Sequence, residues 1–144
     1  MTITRRDPNT IWLGGPRTEI GDFTAKAAIT PGHLVERVNT AGVWQWQKHA
    51  TAGGACNAIA TEQNMLNLGV GDAYAAGDLV EVSELAGGSY VWAFIASGQT
   101  IVFGNKLESA GDGTLRILAS GVALFQAVES KTATSLTRIR VETL

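Results

Sequence analysis

Hydrophobic and polar residues alternate along most of this chain with a period of two. Phe23, Ala25, Ala27 and Ile29 fall on one face, and Thr24, Lys26 and Thr30 on the other, which is strand periodicity. Further short strands are predicted at residues 34–38, 43–48, 57–61, 79–82, 90–96, 101–103, 114–118, 122–128 and 136–141. Turn signals separate them: Pro31-Gly32, Gly87-Gly88 and Gly111-Asp112-Gly113, where Gly113 supplies the positive φ that such a turn demands. Residues 61–68 form the one candidate helix, with Thr61 as cap and Gly69 as stop, and read equally well as a loop. The fold expected is all-β: a small barrel or sandwich of short antiparallel strands with at most one short helix. Its core should include Val80, Val91, Ile95, Leu115 and Phe125. Trp92, within the strongest apolar run, belongs in the core or in a buried interface.

Residues 1–22 have a different character. They hold Pro8 and Pro16, the Gly14-Gly15 pair, the charges Arg5, Arg6, Asp7 and Arg17, and one apolar cluster, Ile11-Trp12-Leu13. The expected organisation is an extended N-terminal arm over 1–22 followed by a single β-rich domain over 23–144. The arm either docks on a partner through Trp12 or packs on its own domain.

One local pattern occurs three times: Gly32-His33-Leu34-Val35-Glu36, Gly77-Asp78-Leu79-Val80-Glu81 and, more loosely, Gly104-Asn105-Lys106-Leu107-Glu108. The unequal spacing excludes a solenoid or propeller. Reuse of one glycine turn to enter three strands fits a small barrel, with each glutamate at a strand end in solvent.

Composition adds a lean toward assembly. Of 144 residues, 45% are hydrophobic and only 17% charged, against about 25% charged in ordinary soluble domains. Neutral surface of this kind becomes interface. A net charge of −2 offers nothing to a nucleic acid. The N-terminus lacks the apolar run of a signal peptide, and no stretch approaches a membrane span.

Enzyme chemistry finds little support. Phosphate-loop, nucleophile-elbow and His-Glu-x-x-His motifs are all missing. Cys56 with His33 or His49 could form a nucleophile and base, but Cys56 sits among small residues with nothing to lower its pKa. No metal signature or cofactor motif is present. Trp44 and Trp46 alternate with glutamines on one strand face and are the candidate subunit or partner interface.

Residues 29–128 resemble the head decoration (capsid cement) proteins of tailed bacteriophages. The likeness rests on the order of several segments: residues 30–36, from Thr30-Pro31-Gly32 to Glu36; residues 58–63; residues 72–82, from Asp72-Ala73-Tyr74 to Val82; the strand around Val91-Trp92-Ala93-Phe94-Ile95; residues 104–115, from Gly104-Asn105-Lys106 to Leu115; and Ala127-Val128-Glu129. The resemblance implies a non-enzymatic virion protein, made in the host cytoplasm, that binds major capsid protein on the outer capsid surface and cements the shell. It also implies a homotrimer, without nucleic acid, membrane or cofactor as partner. Outside the resemblance, Arg5, Arg6, Ile11, Trp12 and Leu13 are the expected capsid-binding elements of the arm. The alternative is a tail or fibre accessory module that binds host glycans through Trp44 and Trp46. A small cysteine or carboxylate hydrolase is the third reading.

Overall fold

In the computed structural model, residues 6–144 are described; Met1–Arg5, and with them the candidate Arg5, lie outside the described residues. In chain order the strands are β1 (Trp12–Gly14), β2 (Arg17–Ile20), β3 (Thr24–Ala25), β4 (Val35–Thr40), β5 (Val43–Lys48), β6 (Ala58–Ala60), β7 (Val82–Leu85), β8 (Tyr90–Ile95), β9 (Thr100–Ile101), β10 (Lys106–Ser109), β11 (Leu115–Ile117), β12 (Phe125–Ala127), β13 (Lys131–Thr132) and β14 (Thr137–Thr143). A 3-10 turn at Asn64–Leu66 is the sole helical piece among them. The fold is therefore all-β, as the alternation predicts.

Five strands close into a barrel in the order β8-β11-β10-β12-β14, with β14 pairing back onto β8. Closure removes the free edges that an open sheet would expose. β8 carries the barrel. Along one edge it pairs with β14 from Tyr90 to Ile95. Its other edge is shared by three segments. β1 pairs beside Tyr90 and Val91; the Trp92 amide donates to the Ile11 carbonyl at 2.8 Å, the Phe94 amide to Gly32 at 3.0 Å, and the Ala96 amide to Leu115 at 2.9 Å. This explains an uninterrupted apolar run: Val91 to Ile95 are all buried, as expected of a strand covered on both faces. Two pairings, β11 with β8 and β3 with β5, are parallel, so the sheets are mixed rather than purely antiparallel. Both join segments far apart in the chain, which no hairpin could connect.

Beside the barrel lie two three-stranded sheets, β2-β7-β6 and β3-β5-β4. They enclose a second core of Ala25, Ile29, Val35, Trp46, Ala58, Ala60, Tyr74, Val80 and Val82. The barrel core holds Val91, Ile95, Leu115 and Phe125. All five core residues expected from the sequence are fully buried, divided between the two clusters.

The repeated turn has one construction. Gly32, Gly77 and Gly104 all take positive φ, at 102°, 91° and 89°, where a β-carbon is disfavoured. The next residue then accepts from the amide three positions earlier: His33 Nδ1 from Thr30 at 3.1 Å, Asp78 Oδ2 from Ala75 at 2.8 Å, and Asn105 Oδ1 from Val102 at 2.8 Å. The glutamates at the end of each copy do not share one environment. Glu108 is fully buried, contrary to the solvent position expected. It accepts from Arg116 Nε at 3.2 Å and from the amides of Ala119 at 3.0 Å and Gly121 at 2.8 Å. It is held below the ordinary carboxylate range, chiefly by the Ala119 amide.

Candidate functional site

Residues 6–20 are stitched onto the domain. The Arg140 guanidinium donates to the Arg6 carbonyl and to Glu129 at 2.7 Å. Ile11 is fully buried in the barrel core, and its amide donates to Glu62 Oε2 at 3.0 Å. β1 lies on β8, and β2 pairs along its whole length with β7. The segment thus straps the barrel to the neighbouring sheet. Ile11 is a core residue and offers no surface to a partner. Trp12 is half-buried against the same core, with the Arg17 guanidinium 4.0 Å above its ring. Leu13 and Arg6 are exposed.

The two tryptophans of β5 separate. They share a strand face, but Trp46 is 1% exposed and packs edge-on against Phe23 in the second core. Trp44, near the hairpin tip, is 50% exposed. The expectation of a paired interface patch fails for Trp46, because the hairpin projects past the core at Trp44 but not two residues further in.

Cys56 and His49, the candidate nucleophile and base, line one small pocket together with Glu36. The Cys56 thiol donates to the carbonyls of Val35 at 3.3 Å and Ala58 at 3.5 Å, and burial pushes it up to about 11. A thiol so placed stays protonated at neutral pH. His49 Nδ1 is 2.7 Å from Ser109 Oγ, and its Nε2 is 3.1 Å from the Ala55 carbonyl. His33 lies against Phe94, with ring centroids 4.7 Å apart. Burial, then Lys48, pushes it down to about 4. Among the described residues no three His, Cys, Asp or Glu side chains gather to hold a metal ion.

What the fold does assemble lies around residues 61–79. The segment leaves the second core at Thr61, touches it at Tyr74 and re-enters it at Val80. It is clasped to the barrel by Arg138, which donates to the carbonyls of Pro31 at 3.0 Å and Val70 at 2.5 Å. The Arg138 guanidinium also lies over the Phe94 ring at 4.3 Å. At the crest of the segment the 3-10 turn lifts Met65 and Leu66 into solvent, 93% and 69% exposed. A polar groove of about 460 Å³ runs on one side, lined by Trp12, Arg17, Glu62 and Glu81 among others. An apolar groove of about 380 Å³ runs on the other, lined by Leu66, Leu68, Tyr74 and Leu79 among others. Sequence reasoning missed this ridge because a helix over 61–68 would have turned some of these apolar residues inward. The available signal was the run Asn64-Met65-Leu66-Asn67: adjacent apolar residues between two asparagines, without a helical stripe.

No family model matches the chain, and no curated protein does. Among solved structures it is similar to the head fibre gp8.5 N base in bacteriophage phi29, with a TM-score of 0.59 at 15% identity, over 90% of this chain and 98% of that one. At that identity the likeness is one of fold, over most of both chains.

Proposed function

We propose that this chain is a structural virion protein of a tailed bacteriophage that binds the outer surface of the assembled capsid and stabilises the shell. The observation that carries this reading is the fold likeness to a phage head fibre base over almost the whole of both chains. The decoration role itself rests on the resemblance of residues 29–128, in the order of their segments, to head decoration proteins. In this reading the protein acts without catalysis, as a homotrimer, through neutral loop surface contacting major capsid protein. A ligand that recognises only the assembled lattice stabilises that state by mass action, by about 2.7 kcal/mol per site at a hundredfold excess over Kd. Glycan binding through Trp44 and Trp46 loses its support, because the buried Trp46 leaves a single exposed indole instead of a platform.

The test is co-sedimentation of the purified protein with heads of the encoding phage made without it. Saturable pelleting with intact heads, and none with unassembled capsid subunits, is the expected result. Equal binding to both, or to neither, would refute lattice recognition.

A further inference from the structure

Between Glu62 and Tyr74 the chain runs through eleven residues, none of them buried; Gln63 and Val70 are half-buried and the other nine are exposed. Both ends of this stretch are pinned. The Glu62 carboxylate accepts from the Ile11 amide at 3.0 Å and from the Thr10 hydroxyl. Tyr74 is buried, and its backbone exchanges hydrogen bonds with that of Ile29 at 2.7 and 3.1 Å. Its hydroxyl donates to the Thr61 carbonyl at 2.6 Å. That bond ties the two ends to each other and closes residues 63–73 into an Ω-type loop.

Inside the loop the hydrogen bonds are local. The Asn67 amide donates to Asn64 at 2.9 Å, the Leu68 amide to Gln63 at 3.1 Å and the Asp72 amide to Gly69 at 3.1 Å. Among the described residues, one hydrogen bond joins residues 63–73 to the rest of the molecule: Arg138 Nη2 donates to the Val70 carbonyl at 2.5 Å. The same guanidinium holds the Pro31 carbonyl, through Nε at 3.2 Å and Nη2 at 3.0 Å. It lies over the rings of Phe94 and Trp92, at 4.3 and 5.0 Å. Val70 adds the apolar contact, packing against the barrel core. A segment with so little buried apolar surface opens at a lower free energy than the domain unfolds.

We infer that residues 63–73 are a lid, hinged at Glu62 and Tyr74, which Arg138 latches to the barrel through Val70. Opening withdraws Val70 from the barrel core and frees Arg138 from one of its two carbonyls, which loosens its cover over Trp92 and Phe94. Gln63, Asn64 and Met65 wall the polar groove, and Leu66 and Leu68 wall the apolar one. Movement of the lid therefore reshapes both grooves at once. A ligand in either groove shifts the lid by its difference in affinity for the two positions. The lid does not depend on capsid binding.

The test is residue-resolved hydrogen exchange of the full chain, in water and in low urea. The amides of Asn67, Leu68 and Asp72 report the lid; those of Thr61, bonded to Glu81, and Tyr74 report its anchors. In the wild type the lid amides are expected to exchange about a hundredfold faster than the anchors, at a rate that low urea leaves unchanged, because a local opening exposes little surface. Arg138→Met keeps an unbranched chain over the rings, and Val70→Ala keeps the latched carbonyl. Each should speed lid exchange by about tenfold. The control is Phe125→Leu in the barrel core, whose partner on β14 is Thr143, at the far end of that strand from Arg138. It should speed the anchors by lowering global stability and leave the lid rate within about twofold. Lid amides that exchange no faster than Tyr74, or that follow Phe125→Leu as the anchors do, would overturn the lid. Lid amides without any protection in the wild type, or lid rates that neither Arg138→Met nor Val70→Ala moves, would overturn the latch.

Discussion

Replacing Ile11 with alanine removes a side chain that is fully buried in the barrel core, on the segment whose carbonyl completes the edge of β8 at Trp92. Truncating a buried isoleucine to alanine costs about 2–5 kcal/mol, the spread reflecting how far the site collapses. The value here should fall near the middle, about 3 kcal/mol. β8 is held on its other side by β14 and cannot move to fill the space, whereas the strap can shift slightly. A domain of this length unfolds with a stability of roughly 5–15 kcal/mol, so the variant should fold but melt about 10 °C lower. Urea unfolding followed by tryptophan fluorescence and circular dichroism measures the change directly, with an unchanged slope showing that the same surface is exposed. Leu13→Ala, at an exposed position two residues on, is the control and should stay within about 0.5 kcal/mol. An Ile11→Ala loss below about 1 kcal/mol would refute the claim that this segment is part of the folded domain. It would restore the detachable arm that the composition of residues 1–22 suggests.

Further outcomes follow from the same packing. Gly121→Ala would place a β-carbon 2.1 Å from Glu108 Oε2 and 2.4 Å from Gly53 Cα, and should destabilise by about 2 kcal/mol or more. Gly71→Ala, with open space around it, should change the urea midpoint little. Acid should unfold the protein through His33. Its folded value of about 4 lies below the ordinary 6.5, so the unfolded chain binds the extra proton and stability falls as pH drops from about 6.5 to 4, by up to about 3 kcal/mol. His33→Asn should flatten that slope in pH-dependent melts; an unchanged slope would refute the assignment. Glu108, held below the usual range, adds stability above that range that is lost as pH falls through its folded value, the same direction as His33. Cys56 should react with iodoacetamide at pH 8 far more slowly in the folded than in the unfolded protein, and Cys56→Ala should leave head binding unchanged.

The core and most strands were legible in the sequence because alternation and burial are local: Val80, Val91, Ile95, Leu115 and Phe125 needed only their neighbours' pattern, whereas the strand expected at 79–82 lies at Val82–Leu85 and β1 and β2 were not expected. Barrel closure was not legible. It depends on β14 returning to β8 and on β11 lying parallel to it, pairings between segments whose own patterns look alike. For residues 1–22 the apolar triplet around Trp12 marks a segment that docks, on a partner or on its own domain, and the sequence leaves the choice open because Ile11 and Trp12 find their places only against β8 and Glu62. Trp44 and Trp46 are equivalent by periodicity, and only the reach of the hairpin beyond the core separates them. Likewise Glu36, Glu81 and Glu108 occupy one sequence pattern, yet Glu36 accepts from one loop amide, Ala50, at a partly exposed site, whereas the buried Glu108 accepts from two, Ala119 and Gly121.

The most direct test of a capsid-binding structural role is a pair of cryo-electron-microscopy reconstructions, of phage heads made without this protein and of the same heads after it is added back. The expected result is added density of barrel size at repeated positions on the outer capsid surface. Reconstructions without a difference at saturating protein, or with density confined to the tail, would contradict it.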